Sequence, residues 1–393
     1  MNEINTPQEF HDICPFSDSE FHQKMAELVT EEGFKHAVTW VMPDIDYDAF
    51  CQSLLKIKTK QDFQINVMYS FLEMLAAKTT KGISCEGSEK VDHDKAYTMI
   101  TNHRDIVLDA SFLNLSLIKN HCKTTEVAIG SNLLIYDWIE KLVRLNKSVI
   151  VKRGVGMRHA LEVAEQLSGY IHFAVTQKNE SVWIAQRQGR AKDSSDATQE
   201  SLIKMLAIKG GKNFLENILE LNIMPVAISY EFDPNDYLKA REFLLKEKNP
   251  DFQKTQHDDL YSMEIGLLEQ KGRVHFTFTD CINPQLESLR DLDKNAQSAA
   301  VCQIIDSHIH SGYRIYPCNY IAYDLRFKTE RFNREYTKDD VERFNAYIDN
   351  QLAKVPKELD FIPSKEDNEY MRDMILIMYS NPLINKLQAT NSL

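Results

Sequence analysis

The chain has 393 residues, of which 43% are hydrophobic and 26% charged, with 13 Gly and 11 Pro, and its mean hydropathy is -0.40. These values fit a folded protein of two or three structural units and exclude a collagen, a disordered tail protein and a disulfide miniprotein. No apolar run approaches the roughly 18 to 20 residues that span a bilayer, and the acidic start MNEINTPQEFHD does not read as a secretory signal.

The net charge of -12 argues against general nucleic-acid binding. Its distribution is uneven. Residues 140–213 hold 13 Lys+Arg against 7 Asp+Glu, a local +6, so the rest of the chain sums to -18. A basic segment in an acidic protein suits an anionic small molecule. The seven cysteines include no CxxC pair, which fits reduced thiols in a cytoplasmic protein.

Residues 1–80 read as a helical N-terminal region. Phe21, Met25, Leu28 and Val29 recur at helical spacing, and NVMYSFLEMLAA (66–77) is a compact apolar helix. The polar stretch KTTKGISCEGSEK (78–90) reads as a boundary loop. Gly82 and Gly87 have the separation of a phosphate-binding P-loop, but Ser88 and Glu89 stand where Lys and Ser/Thr are required.

Residues 81–329 read as an α/β unit. Short β-branched runs at Thr98–Thr101, Thr125–Ile129, Val149–Val151, Val182–Ala185, Pro225–Tyr230 and Val274–Phe278 fit strands. Helical stretches lie between them, one with Met157, Leu161, Ala164 and Leu167 on one stripe, another with Leu202, Met205 and Leu206. The alternation predicts a mixed, largely parallel sheet flanked by helices. Residues 330–393 read as a helical C-terminal region, with Thr337 capping one helix and a last helix over Asn368–Tyr379 that ends at Asn381-Pro382.

Several common sites are excluded by counting. No two glycines lie four apart, so no GxSxG nucleophile elbow exists, and there is no HExxH. His308 and His310 would share one face of a strand, half of a metal site with no evident further ligand, so no metal or cofactor is expected. Three stretches carry chemistry. In NHRDIVLD (102–109), a His at a strand-to-helix junction with Asp nearby can form a base and its orienting partner. In VIVKRG (149–154), a strand ends in Lys152 and Arg153. In RQGRAK (187–192), Arg187, Arg190 and Lys192 surround Gly189, where guanidinium groups can grip phosphate oxygens. An apolar strand with Pro225 near its start, IMPVAISYE (223–231), follows.

In this order, the four blocks resemble the glycerol-phosphate and lysophosphatidate acyltransferase superfamily, bacterial in type, over about 130 residues from 101 to 231. That family has a His, four residues and an Asp, then a strand ending in basic residues, a Glu-Gly-x-Arg phosphate loop and a Pro-containing strand. Here five residues separate His103 from Asp109, so either Asp109 or Asp105 orients His103, with Asp109 favoured because it begins the helix. Gln188 stands where the family has Glu.

The resemblance implies acyl transfer from acyl-ACP or acyl-CoA to a hydroxyl of glycerol-3-phosphate or 1-acylglycerol-3-phosphate. His103 and Asp109 would be catalytic, and Arg104, Lys152, Arg153, Arg187, Gly189, Arg190 and Lys192 would bind the acceptor. It also implies a cytoplasmic protein in peripheral contact with the inner face of the plasma membrane. An acyltransferase for another lipid acceptor, such as an aminolipid, and a non-catalytic lipid- or phosphate-binding protein of the same fold fit the same blocks.

Overall fold

The computed structural model describes residues 4–391. Its centre is a seven-stranded sheet: β1 (Ile83–Glu86), β2 (Thr98–Thr101), β3 (Glu126–Gly130), β4 (Ser148–Val151), β5 (Val182–Ala185), β6 (Ile223–Tyr230) and β7 (Val274–Phe278). The spatial order is β1-β7-β6-β2-β5-β3-β4. Every neighbouring pair is parallel except β6 with β7. The carboxyl ends of β6, β2, β5, β3 and β4 therefore open on one edge, where α/β sheets place ligands. The mixed, largely parallel sheet expected from the sequence is present.

Strands buried on both faces need apolar side chains pointing both ways. In β2, Ile100 joins one apolar cluster and Met99 the other; Ile184 and Trp183 divide likewise in β5. The first cluster packs under helices Met157–Phe173, Glu200–Leu206, Phe214–Leu219 and Lys294–Ser311, the second under Tyr69–Thr79 and Leu108–Lys119. Residues Phe21, Met25 and Leu28 form a separate cluster with Leu145, while Phe344, Ile348, Met371 and Ile375 pack on Tyr237, Ala240 and Leu244 of helix Asp236–Lys248.

Four local expectations need correction. The boundary loop contains β1, a half-buried edge strand registered on β7; four residues of mixed polarity gave no alternation to read. His308 and His310 lie on helix Lys294–Ser311, not on a strand, so two residues apart they point to different sides. His308 contacts Gln285 and His310 the carbonyl of Asp196. The last helix runs Lys365–Ala389 with Pro382 inside it. Proline there loses one backbone bond, but Leu383 is buried, and Arg326 binds Ser380 and Asn381 across the break. Lastly, the apolar stripe of helix Met157–Phe173, leaving aside Met157, whose side chain lies outside the described residues, is covered only in part: Leu167 is buried, whereas Leu161 is 62% exposed.

One buried carboxylate ties the C-terminal helices to the rest. Asp236 accepts bonds from Tyr347 (2.7 Å), Tyr379 (2.8 Å) and Gln351 (2.9 Å). Burial, with the charge of Asp233, pushes its pKa up to about 7 despite those donors. A carboxyl group with a raised folded pKa keeps its proton in the native state after the unfolded chain has released it. Its contribution to stability therefore declines as pH climbs from about 4 to about 7 and levels off above. Asp236→Asn should flatten that decline, as read from thermal melts across the same pH range.

Candidate active site

The site begins where β2 ends. Asn102 extends the pairing one step with its side chain: its Nδ2 donates to Ile228 O (3.0 Å) and its Oδ1 accepts from Ile228 N (2.8 Å). On the other side, Gln186 N donates to Thr101 O (2.8 Å). His103 then leaves the sheet at a position fixed on both flanks.

The turn that follows contains two carboxylates with different tasks. Asp105 Oδ1 accepts from the backbone N–H groups of Val107 (2.9 Å) and Leu108 (2.8 Å), capping the start of helix Leu108–Lys119. Asp109, in the first helical turn, gathers three donors on Oδ2: His103 Nδ1 (2.9 Å), Arg104 N (2.7 Å) and Asp105 N (3.0 Å). The structure thus brings Asp109, not Asp105, to the imidazole, and the loop accommodates the five-residue spacing. Asp109 has no exposed surface, and the His103 side chain is 13% exposed.

With Nδ1–H donating to a carboxylate, the neutral ring presents its lone pair at Nε2. Nε2 has no hydrogen-bond partner among the described residues. Trp183 stands edge-on to the imidazole with ring centroids 6.1 Å apart, and its own Nε1 is held by Thr101 Oγ1 (3.1 Å). The imidazole is therefore oriented by an anion on one nitrogen and open at the other.

β5 leaves the sheet beside β2, in the register Thr101↔Ala185. Beyond the paired ends, the segment after β2 runs on to His103 and the segment after β5 to Arg187. Gly189 turns the loop with φ +70 in open space, a conformation that favours glycine. Arg187 and Arg190 are half-buried, and among the described residues neither forms an ion pair. Arg187 Nε and Arg190 Nη1 are buried without a hydrogen-bond partner. Buried cationic donors left open in this way suit an anion.

The other expected acceptor residues behave differently. Lys192 is ion-paired with Glu242. Arg104 is buried against Asp196 (2.6 Å), whose Oδ2 also accepts from Tyr313 (2.6 Å), so most of its charge is spent within the fold. Lys152 and Arg153 follow β4, the third strand from β2; the Lys152 ammonium turns to Asp12 and Gln166. The structure brings neither beside His103. Gln188 is exposed, its N–H bound by Gln199 Oε1 (2.8 Å).

Other groups at the site were not among the residues expected from the sequence. Tyr230, at the end of β6, is buried with its hydroxyl unpartnered. Burial and the charges of Asp109 and Asp105 hold its pKa well above the ordinary range, so it stays a donor. Lys271 is fully buried, and burial pushes its pKa down to about 8 although Asp105 opposes the shift. Two open clefts adjoin the loop. One, of about 380 Å³, is lined by Arg104, Tyr230, Tyr313 and Met378. The other, of about 390 Å³, is lined by Arg190, Lys239, Arg241, Lys254 and Asn235, and the amide of Asn235 is buried with both atoms unpartnered. His103 borders neither.

The arginine loop is fastened from behind. Ser194 and Asp196 adopt positive φ (58° and 48°). From the last helix, Asn381 Nδ2 donates to Asp193 O (2.7 Å), and Asn385 Nδ2 to Ser194 O and Ser195 O (3.2 Å each).

No protein-family model matches the chain, and no curated protein matches it. Among solved structures, the 1-acyl-sn-glycerophosphate (LPA) acyltransferase PlsC from Thermotoga maritima aligns over 74% of this chain and 95% of its own. The identity is 9% and the TM-score 0.35, too distant to carry an assignment.

Helix Gln256–Leu268 closes over the dyad loop at Gly266, where an added Cβ would fall 2.1 Å from Asp105 Oδ2. Two backbone bonds hold that carboxylate, so it cannot step aside cheaply. Alanine gains about 1 kcal/mol of helix propensity, but such overpacking costs typically 1–3 kcal/mol. Gly266→Ala should lower the melting temperature; an unchanged or raised value would show that the helix shifts freely.

Proposed function

We propose that this protein is an acyltransferase that moves a fatty acyl group from the thioester of acyl-ACP or acyl-CoA to a hydroxyl of a phosphate-bearing, glycerol-type acceptor. One observation carries the reading: the His103–Asp109 pair, open at Nε2, follows the strand next to the one that leads to a loop whose two arginines form no ion pair among the described residues. A base that is oriented but unoccupied, next to unpaired guanidinium groups, suits an acceptor with a hydroxyl and an anion in one small molecule.

In this reading the arginine loop binds the acceptor's phosphate and holds its hydroxyl at His103 Nε2. Nε2 takes the hydroxyl proton as the oxygen attacks the thioester carbonyl, and Asp109 stabilises the imidazolium that forms. The tetrahedral intermediate collapses, the C–S bond breaks, and the imidazolium returns the proton to the leaving thiolate. No acyl-enzyme forms. Arg187 and Arg190 contribute by positioning, which in such reactions can lower the barrier by several kcal/mol. The acyl donor and a lysolipid acceptor would be met at the inner membrane face, in peripheral contact from the cytoplasm.

The test is transfer from labelled acyl-ACP and acyl-CoA to glycerol-3-phosphate, 1-acylglycerol-3-phosphate and a lysolipid without phosphate. Product is expected on a phosphorylated acceptor and is lost in His103→Ala. No transfer to any acceptor, with phosphate still bound, would replace this reading by a non-catalytic binding protein. Asp109→Asn should lower kcat by about 10²-fold or more, the range for a disabled general base. Asp105→Asn, which keeps a capping oxygen, should cost less than about tenfold, within the reach of a cap weakened by ~1 kcal/mol. Arg190→Ala should raise KM for phosphorylated acceptors while leaving the phosphate-free lysolipid unaffected; an unchanged KM would remove Arg190 from the acceptor site.

A further inference from the structure

At the side of the sheet away from β4, β1 and β7 pair in parallel, with Ser84 opposite His275 and Glu86 opposite Thr277. Ladder partners share a face, and so do residues two apart on one strand. Ser84, His275 and Glu86 therefore project together. His275 Nδ1 meets Ser84 Oγ at 2.8 Å, and its Nε2 lies 3.5 Å from Glu86 Oε1. Thr277 Oγ1 donates to the same carboxylate oxygen (3.1 Å) and holds it in place. The imidazole is buried, whereas Ser84 and Glu86 are exposed.

A serine, an imidazole and a carboxylate in sequence are the parts of an activated nucleophile. Nε2 makes no full hydrogen bond among the described residues, so the Glu86 carboxylate is the acceptor that draws its proton. The neutral ring then offers the lone pair of Nδ1 to the serine hydroxyl. Burial, followed by the charge of Arg314, holds the imidazole's pKa below its ordinary range, so that lone pair is present at neutral pH. Ser84 Oγ also lies 3.4 Å from Val274 O, a longer and weaker contact. Serine hydrolases place the serine at Nε2 and the acid at Nδ1; here the two nitrogens exchange roles. Arg314 stands 3.7 Å from Glu86, and its charge favours an oxyanion formed at Ser84. Its backbone N–H binds Ser229 Oγ (2.9 Å), and Ser229 is the residue opposite His275 on β6. Ser229 and Arg314 both line the cleft of about 380 Å³ that also holds Arg104 and Tyr230. An exposed serine with an imidazole partner thus adjoins a cleft that contains two arginines.

We infer that Ser84, His275 and Glu86 form a second catalytic centre, an esterase for small carboxylic esters or thioesters that carry an anionic group. It stands apart from the His103 site, since β7 and β1 are the second and third strands from β2. Ser84 Oγ attacks the acyl carbon as its proton passes to His275 Nδ1, and Glu86 stabilises the imidazolium. The bond to the leaving alcohol or thiol breaks, and that group takes the proton from Nδ1. Water then attacks the acyl-serine, gives a proton to Nδ1, and releases the acid as the proton returns to Ser84 Oγ. The net reaction is hydrolysis. The anionic group of the substrate lies toward Arg314 in the cleft.

The experiment treats the full chain with a fluorophosphonate probe, from which an activated serine displaces fluoride as the P–O bond forms. Peptide mass spectrometry then locates the label. Hydrolysis of p-nitrophenyl acetate and of the p-nitrophenyl half-ester of succinate is measured alongside. The label is expected on Ser84, with faster turnover of the anionic succinate ester. Ser84→Ala should abolish both labelling and hydrolysis. His275→Asn, which keeps a hydrogen-bonding group beside Ser84 but no base, should lower hydrolysis by about 10²-fold or more. Glu86→Gln, an exposed change, should give a smaller loss, and Arg314→Ala should remove the preference for the succinate ester. No label on Ser84, or hydrolysis undiminished in Ser84→Ala, would overturn the inference. So would unchanged hydrolysis in a His275→Asn protein that melts cooperatively. If that variant does not fold, unchanged hydrolysis in Glu86→Gln overturns it. Equal turnover of the two esters by the unmodified protein would overturn the anionic substrate class. Hydrolysis lost in His103→Ala but kept in Ser84→Ala would place the chemistry at the dyad and overturn the second centre.

Discussion

Three donors converge on one oxygen of Asp109, and the site is organised around that point. The backbone N–H groups of Arg104 and Asp105 bind the same Oδ2 that holds the imidazole, so the loop cannot close without placing His103. The first turn of a helix adds unsatisfied N–H groups and a favourable dipole, which steady a buried anion there. Asp105 is left to cap the helix. The burial of two carboxylates in one turn is offset in part because one oxygen of each accepts from two backbone donors and Arg190 and Lys271 supply positive charge near Asp105.

The cations around this turn divide into two groups, and the division matters more than their number. Arg104, Lys192 and Lys239 each have a carboxylate and hold segments of the fold together. Arg187 and Arg190 form no ion pair among the described residues, although the charge of Arg190 reaches Asp105. A paired buried cation is mostly neutralised where it sits, whereas an unpaired one retains its attraction for an incoming anion.

Much of this was legible in the sequence where local pattern and tertiary role coincide. The bounds of β2, β5 and β7 follow from short runs of apolar and β-branched residues, whereas the strand-to-helix junction at His103 offered both Asp105 and Asp109 as its partner and only favoured Asp109. β1 was not legible, because its four residues are sheet only by virtue of β7. His308 and His310 suggested a strand because two residues of spacing has a simple meaning there and none on a helix. Pro382 reads as a stop, yet packing carries the helix through it. Charge partners were the least legible: no local feature of Arg104 indicates that Asp196, 92 residues later, will occupy it, and no motif marks Asn235.

The contacts of Asn381 and Asn385 with the backbone at residues 193–195 change what binding would cost. A loop that carries two long cationic side chains normally loses much conformational freedom when it grips a ligand. Here the backbone after Arg190 is already immobilised by the last helix, 190 residues away in sequence. The end of the chain therefore works as a brace. It makes the affinity of the arginine loop for an anion a property of the whole assembled molecule, not of the loop in isolation.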